Sequence, residues 1–180
     1  MKIKPTKIAD LYWLESPAFT DERGTFFRAF CADELAKSGL TFDVKQTNVS
    51  INPRKHTMRG FHYQKPQAME SKILTCLHGS VYNVVIDLRQ DSETYLDKEY
   101  FEISSTNFCS LLVPPGCANA FLTMEDNTHI YYLMDAFFSP EAYAGFRYNE
   151  PQFQVEWPCE PKIISEKDMS YPDFELAQSL

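Results

Sequence analysis

The sequence predicts an all-β protein: short runs rich in Val, Ile, Thr, Phe and Tyr recur along the chain, Gly, Pro, Asn and Asp punctuate them, and one short segment alone carries a convincing helical signal. That segment comes first, Ala32 to Ser38, closed by Gly39, a residue free to take the left-handed φ that ends helices. Strands are predicted at Val44 to Ile51 and at Met58 to Gln64. Ser71 to Leu77 and Ser80 to Leu88 follow, dense in β-branched and aromatic residues, with His78-Gly79 between them as a hairpin turn. With the turn centred there, the two-residue strand period puts Lys72, Leu74 and Cys76 on the same face as Val81, Asn83, Val85 and Asp87. Glu99 to Ile103, Cys109 to Val113, Ala120 to Met124 and His129 to Met134 complete the strands. Pro114-Pro115-Gly116 breaks the pattern before Asn119, Ser139-Pro140-Glu141 closes the last strand, and Ser165 to Leu180 packs back as loop or helix. Many short strands at this spacing suggest a sandwich or a jelly roll.

The 180 residues show no composition shift or repeat, so residues 1–180 are expected to form one domain. A hydrophobic fraction of 44% excludes a disordered chain. The net charge of −8 and pI near 5.0 argue against a nucleic-acid surface, which needs clustered cations. A small phosphorylated ligand needs only a few, and Arg23, Arg59 and Lys72 could supply them. The basic N-terminus meets acidic residues before any apolar run long enough for a signal peptide or membrane span, so the expected location is cytoplasmic with no membrane contact. Five cysteines in no C-x-x-C pair read as reduced, mostly buried thiols.

Polar residues on an inward strand face cost free energy unless paired, so Lys72, Asn83 and Asp87 belong either to a satisfied core network or to the wall of a site. Arg59, His62 and Gln64 add dense polar content to a strand that otherwise carries Met, Phe and Tyr. A base and a cation held on rigid strands can remove a proton beside a carbonyl and hold the resulting enolate. A lone strand histidine is as readily a structural hydrogen-bonding residue, and the neighbours of His62 tip the balance. No H-x-H pair or ligand-spaced carboxylate or thiolate cluster supports a metal, no G-x-S-x-G supports a nucleophile, and no Gly-rich phosphate loop is present.

Asp21-Glu-Arg-Gly24, Arg59-Gly-Phe-His-Tyr-Gln64, Lys72, Val85-Ile-Asp-Leu-Arg89, Pro114-Pro-Gly116, Tyr132, Pro140-Glu141 and Ser165-Glu-Lys-Asp168 resemble, in order and spacing, the dTDP-4-dehydrorhamnose 3,5-epimerase family over roughly residues 8 to 172. The resemblance implies a cupin-like jelly roll (double-stranded β-helix), a homodimer that uses no cofactor or metal, and epimerisation of nucleotide-linked 4-keto-6-deoxy sugars for surface polysaccharide or related glycosides. It places the proton-abstracting base on His62, the orienting aspartate on Asp168, the general acid on Tyr132 and the enolate-stabilising cation on Lys72. It also implies diphosphate and sugar contacts at Arg23 and Arg59, on an arm reaching a partner subunit in the case of Arg23, nucleotide contacts at Gln46 and Asn48, and further substrate contacts at Phe26 and Phe138. The strand-face reading agrees on Tyr132, which points inward if Ile130 and Met134 line the core.

The chain also departs from the family. Asn119 stands where a second histidine is usual and Asn83 where its aspartate is expected, so two amides replace a charged dyad and can satisfy each other, with Asn119 left to donate a neutral hydrogen bond to the substrate. Arg28 replaces a common glutamate and Phe138 a common tyrosine, which leaves the nucleotide base open. The paired change predicts a shift toward a single epimerisation, at carbon 3 or carbon 5, or toward an altered sugar. A 3,4-ketoisomerase on the same substrate class, or a catalytically silent sugar-nucleotide-binding cupin, are the competing readings; retention of His62, Asp168, Lys72 and Tyr132 together weighs against silence.

Overall fold

The computed structural model describes residues 1–176 and 179–180, and its regular structure is almost entirely β. In chain order the strands are β1 (Lys2–Pro5), β2 (Tyr12–Glu15), β3 (Ala18–Asp21), β4 (Gly24–Phe27), β5 (Gln46–Asn52), β6 (Met58–Gln64), β7 (Lys72–His78), β8 (Ser80–Asp87), β9 (Lys98–Ser104), β10 (Cys109–Val113), β11 (Cys117–Thr123), β12 (Thr128–Met134) and β13 (Tyr143–Gly145). Two short helices, α1 (Ala32–Lys37) and α2 (Glu166–Ser170), interrupt them. A six-stranded sheet in the order β1-β2-β10-β7-β12-β5 packs on a five-stranded sheet in the order β13-β6-β11-β8-β9, and β3 and β4 form a separate hairpin. This is the expected cupin-like jelly roll.

Three apolar layers hold it together. Between the sheets, Leu74, Cys76, Leu111 and Ile130 from the first meet Val81, Val85, Cys117 and Phe121 from the second. The outer face of the six-stranded sheet buries Ile73, Leu112 and Leu133 under Leu35 of α1 and Phe42. The outer face of the five-stranded sheet buries Phe61, Ile86, Ala118 and Ala120 under Phe146, Phe153 and Phe174 of the C-terminal segment. The central strands of both sheets are therefore covered on both faces, which explains why β10 and β11 read as unbroken buried runs instead of alternating ones.

β6 and β10 match their predicted bounds, and α1 ends as expected, with Gly39 at φ +78° and Leu40 N–H donating back to Leu35 O at 3.0 Å. β11 starts at Cys117, not Ala120, because Pro114–Gly116 is a tight turn and the strand resumes at once. β5 starts at Gln46, not Val44. β1 to β4 and β13 carry no run of apolar residues long enough to be seen, and each spans four residues or fewer.

The predicted hairpin at His78-Gly79 is corrected: β7 pairs with β10 and β12, whereas β8 pairs with β11 and β9 in the opposite sheet. His78-Gly79 is the corner that carries the chain across. Gly79 sits at φ +73°, and a Cβ there would lie 2.6 Å from Thr128 Oγ1, so the corner admits glycine and little else. The predicted facing survives the change, since the inward residues of β7 and β8 meet across the sandwich instead of side by side.

One irregularity positions the site. Asn119 opposes His62 and Phe121 opposes Arg59, so two steps along β11 match three along β6. In a regular strand Arg59 and His62 would point to opposite faces; the extra residue returns both to the inner face. Gly60 lies in this stretch at φ +109°, and a Cβ there would meet Asn119 O at 2.6 Å and Ala120 Cα at 2.8 Å. The Gly60–Phe61 peptide bond is cis.

Gly60→Ala is expected to cost about 1–3 kcal/mol from the forced φ alone, with the backbone clash added. Thermal unfolding checks it: a melting temperature within error of the parent's contradicts the close approach of β6 and β11.

Candidate active site

A cavity of about 410 Å³ opens between the sheets at one end of the sandwich. Its walls come from Asn48 and Ser50 on β5, Arg59 and His62 on β6, Lys72 on β7, Asn119 and Phe121 on β11, and Tyr132 and Met134 on β12, with Phe138, Tyr143 and Lys167 toward the rim. Period two along β12 puts Ile130, Tyr132 and Met134 on the inner face, as the sequence predicts, while Tyr131 and Leu133 face α1.

His62 Nε2 lies 2.7 Å from Asp168 Oδ1. Asp168 in turn accepts from Gly60 N–H at 3.3 Å, and its own N–H donates to Ser165 Oγ at 3.0 Å, which caps α2 and fixes the carboxylate behind the imidazole. Burial alone would raise the Asp168 pKa, but the bond and charge of His62, with Gly60 N–H and Ser165, outweigh it and hold it below the usual carboxylate value. An ionised Asp168 takes Nε2–H and leaves Nδ1 as the basic nitrogen of the ring. Tyr143 packs on the ring at 5.1 Å between centroids, and Tyr171 stands edge-on at 6.3 Å.

Burial drives the Tyr132 phenol well above its ordinary pKa, against the opposing pull of Arg59 and Ser50, so it stays protonated through the neutral range as a proton donor must. Burial also raises Tyr143, with Tyr171 and the Asp168 and Glu70 carboxylates adding to it. Lys72, 8% exposed, lies with its Nζ 3.1 Å from Glu70 Oε1, and Gln64 Nε2 donates to Glu70 Oε2 at 3.0 Å. Arg59 Nε donates to Asn52 Oδ1 at 2.8 Å.

The two amides do meet: Asn119 Nδ2 donates to Asn83 Oδ1 at 2.9 Å and to Val84 O at 3.1 Å. The main-chain carbonyl of Val84 can only accept, so it fixes which way the Asn119 amide turns. This corrects two expectations. Both N–H groups of Asn119 are used within the protein, so the amide offers the cavity its carbonyl oxygen, an acceptor, and not the donor expected from the sequence. The satisfaction is also one-sided, because Asn83 Nδ2 is buried without a partner.

Of the other expected contacts, Asn48 and Phe138 line the cavity. Gln46 does not; its Oε1 accepts from Phe138 N–H at 2.9 Å and so holds that ring at the rim. Arg23 and Phe26 are not brought to the cavity either. They sit on the exposed β3–β4 hairpin, where Arg23 Nη2 pairs with Asp21 Oδ2 at 2.5 Å. Asp87, the third inward polar residue, belongs to a closed network: it accepts from Arg89 Nε and Nη2, both at 2.8 Å, Ser92 Oγ at 2.6 Å and Thr94 Oγ1 at 2.7 Å. Sequence reasoning missed Glu70, Tyr143 and Lys167. Lys167 stood inside a motif already noticed, and Glu70 two residues from Lys72; Tyr143 enters only because β13 pairs with β6, opposing Gly145 to His62.

The sequence profile described as dTDP-4-dehydrorhamnose 3,5-epimerase matches residues 5–175. The chain belongs to the dTDP-4-dehydrorhamnose 3,5-epimerase family. The enzyme of that name from Sinorhizobium fredii is 31% identical over 173 residues, 96% of this chain and 89% of its own. Among solved structures, the Bacillus anthracis dTDP-4-dehydrorhamnose 3,5-epimerase with TDP and PPi bound superposes with TM-score 0.93 at 32% identity, covering 96% of this chain and 99% of that one. ChmJ, a 3'-monoepimerase from Streptomyces bikiniensis in complex with dTDP-quinovose, gives TM-score 0.88 at 25% identity over 97% of this chain and 87% of its own. Structures similar to this one thus include a 3,5-epimerase and a single epimerase.

Two stability predictions follow from this site. Asp168 has a depressed folded pKa, so its contribution is full above the unfolded value near 3.9 and is lost as pH falls through the folded one. The urea midpoint gap between the parent and Asp168→Asn should therefore close between about pH 5 and pH 2; a gap that widens on acidification contradicts it. Asn83→Asp buries a carboxylate with no cation, at an expected cost of about 3–5 kcal/mol, and adding Asn119→His should recover at least half, as a positive coupling in a double-mutant cycle.

Proposed function

We propose that residues 1–180 act as one epimerase domain on a nucleotide-diphosphate-linked 4-keto-6-deoxy hexose, inverting carbon 3, carbon 5 or both through an enolate. The observation that carries this is the base, the acid and the cation sharing one cavity: His62 backed by Asp168, the protonated Tyr132 and the Lys72 ammonium. His62 removes the proton on a carbon beside the ketone; the C–H electron pair becomes the carbon–carbon double bond and the carbonyl π pair moves onto oxygen 4 as an enolate beside Lys72. Tyr132 returns a proton to the same carbon from the other face. The imidazolium and phenolate then exchange protons with water, which restores the resting states.

Arg59 and Lys167 supply cations for the diphosphate, and Asn48 and Phe138 flank the rim where a nucleotide would lie. A homodimer is part of this reading. Phe19 and Phe26 on the β3–β4 arm are 67% and 69% exposed, and a second copy would cover them while bringing Arg23 to the neighbouring cavity. The cysteines, all unpaired, fit a reducing cytoplasm, and among the described residues no helix is long and apolar enough to cross a membrane.

Incubation with a 4-keto-6-deoxy sugar nucleotide in deuterated water tests the scheme by proton NMR. The parent should incorporate solvent deuterium beside the ketone, His62→Ala should lose exchange by about 10²–10⁴-fold, and Tyr132→Phe should keep exchange while losing inversion. A parent that binds such nucleotides without exchanging any carbon-bound proton is a binding protein, and the scheme is then wrong. Migration of the carbonyl to carbon 3 would instead identify a ketoisomerase.

A further inference from the structure

Glu70 is the one carboxylate that lines the cavity among the described residues, and the catalytic scheme above gives it no task. It is 7% exposed, it precedes β7, and its two oxygens are engaged separately. Gln64 Oε1 accepts from Ser139 N–H at 3.0 Å. A main-chain N–H can only donate, so the Gln64 amide is turned with its Nε2 toward Glu70 Oε2, at 3.0 Å, and that oxygen must accept. Glu70 Oε1 then faces Lys72 Nζ at 3.1 Å. The donors converge on Glu70: the Ser139 backbone fixes Gln64, Gln64 donates to one carboxylate oxygen, and the ammonium stands against the other.

The opposite wall sharpens what this relay must do. Asn119 turns an acceptor toward the cavity, and Asn83 behind it carries no charge, so that pair cannot neutralise an enolate oxygen. The other ionisable groups around the cavity are Arg59, His62, Tyr132, Tyr143 and Lys167, with Asp168 behind His62 and the Cys117 thiol below Lys72. Arg59 is tied to Asn52 and Lys167 lies over the Tyr143 ring at 4.4 Å.

We propose that Glu70 is the positioning residue for Lys72: held by Gln64, it anchors the Lys72 ammonium against the sugar ketone in a buried site that has no second acid–base dyad. This rests on the epimerase reading above. Removing the carboxylate takes away the fixed partner of a nearly buried ammonium and lets it leave its position. Shortening the carboxylate keeps the charge and pulls the ammonium off its position.

The experiment measures solvent-deuterium exchange and epimerisation, as kcat and KM across pH, for the parent, Glu70→Gln and Glu70→Asp. Glu70→Gln is expected to lower kcat about 10-fold to 100-fold with KM within about threefold. Glu70→Asp, which keeps the charge and shortens the reach, is expected to depress kcat with KM again within about threefold, and it decides the matter alone if Glu70→Gln does not fold. A parental kcat in the variants, or a lowered melting temperature with unchanged kcat per folded enzyme, overturns the assignment. A parent that exchanges no deuterium overturns the epimerase reading itself, and this assignment with it.

Discussion

The close approach of β6 to β11 at Gly60 is the constraint on which the site depends. Three steps of β6 fit against two of β11, and only a residue without a side chain fits where Asn119 O and Ala120 come within 3 Å of a would-be Cβ. Without that compression the strand period would send either Arg59 or His62 outward into the apolar layer of Phe61, Phe146 and Phe174. A cation would then meet aromatic rings, or the imidazole would lose Asp168. The same glycine donates its N–H to Asp168 Oδ2, so one residue sets both where the imidazole points and what stands behind it. The C-terminal segment supplies Asp168 and the aromatic cover over β6, which ties a functional side chain to the burial of a sheet face.

Charge is distributed unevenly around the cavity. On the β6 side, an ionised Asp168 and an imidazole form a pair in which protonation of the ring is compensated. On the β7 side, Lys72 and Glu70 compensate each other in the resting state, so charge appearing on a ligand oxygen competes with Glu70 for the same ammonium. On the β11 side stands a neutral amide whose free atom is an acceptor. An oxygen that becomes anionic is therefore drawn toward Lys72 and repelled from Asn119, which orients a ketone more narrowly than two cationic walls would. Tyr132, kept protonated by burial, adds a donor without adding charge.

Much of this was legible in the sequence, for a physical reason. β6, β10 and α1 are each bounded by their own local chemistry, and the inward face of β12 followed from its period. The pairing of β7 and β8 was not legible, because a corner between sheets and a hairpin turn ask for the same glycine; only the partners of the flanking strands distinguish them. His62, Lys72, Tyr132 and Asp168 came from a motif whose order survives along the chain. Glu70 stands one strand period before Lys72 but just outside the predicted strand, so its facing went unread, and Tyr143 reaches the cavity on a three-residue strand through a pairing that no spacing encodes. The direction of the Asn119 amide was also hidden: it is decided by Val84 O, a backbone atom that every sequence contains.

The inward polar residues show why one end of the sandwich is reactive and the other is not. Asp87 and Lys72 sit on comparable inner-face positions of consecutive strands, and both are buried. Asp87 is saturated by Arg89, Ser92 and Thr94, and Arg89 is further held by Ala9 O at 2.7 Å, so the carboxylate is fully engaged within the protein. At the other end the Lys72 ammonium keeps donors beyond Glu70, the Asn119 oxygen faces open space, and His62 retains a free ring nitrogen. The same cost of burying polar groups acts at both ends. Where the chain itself completes the hydrogen bonds the result is structural, and where it stops short a substrate has to complete them.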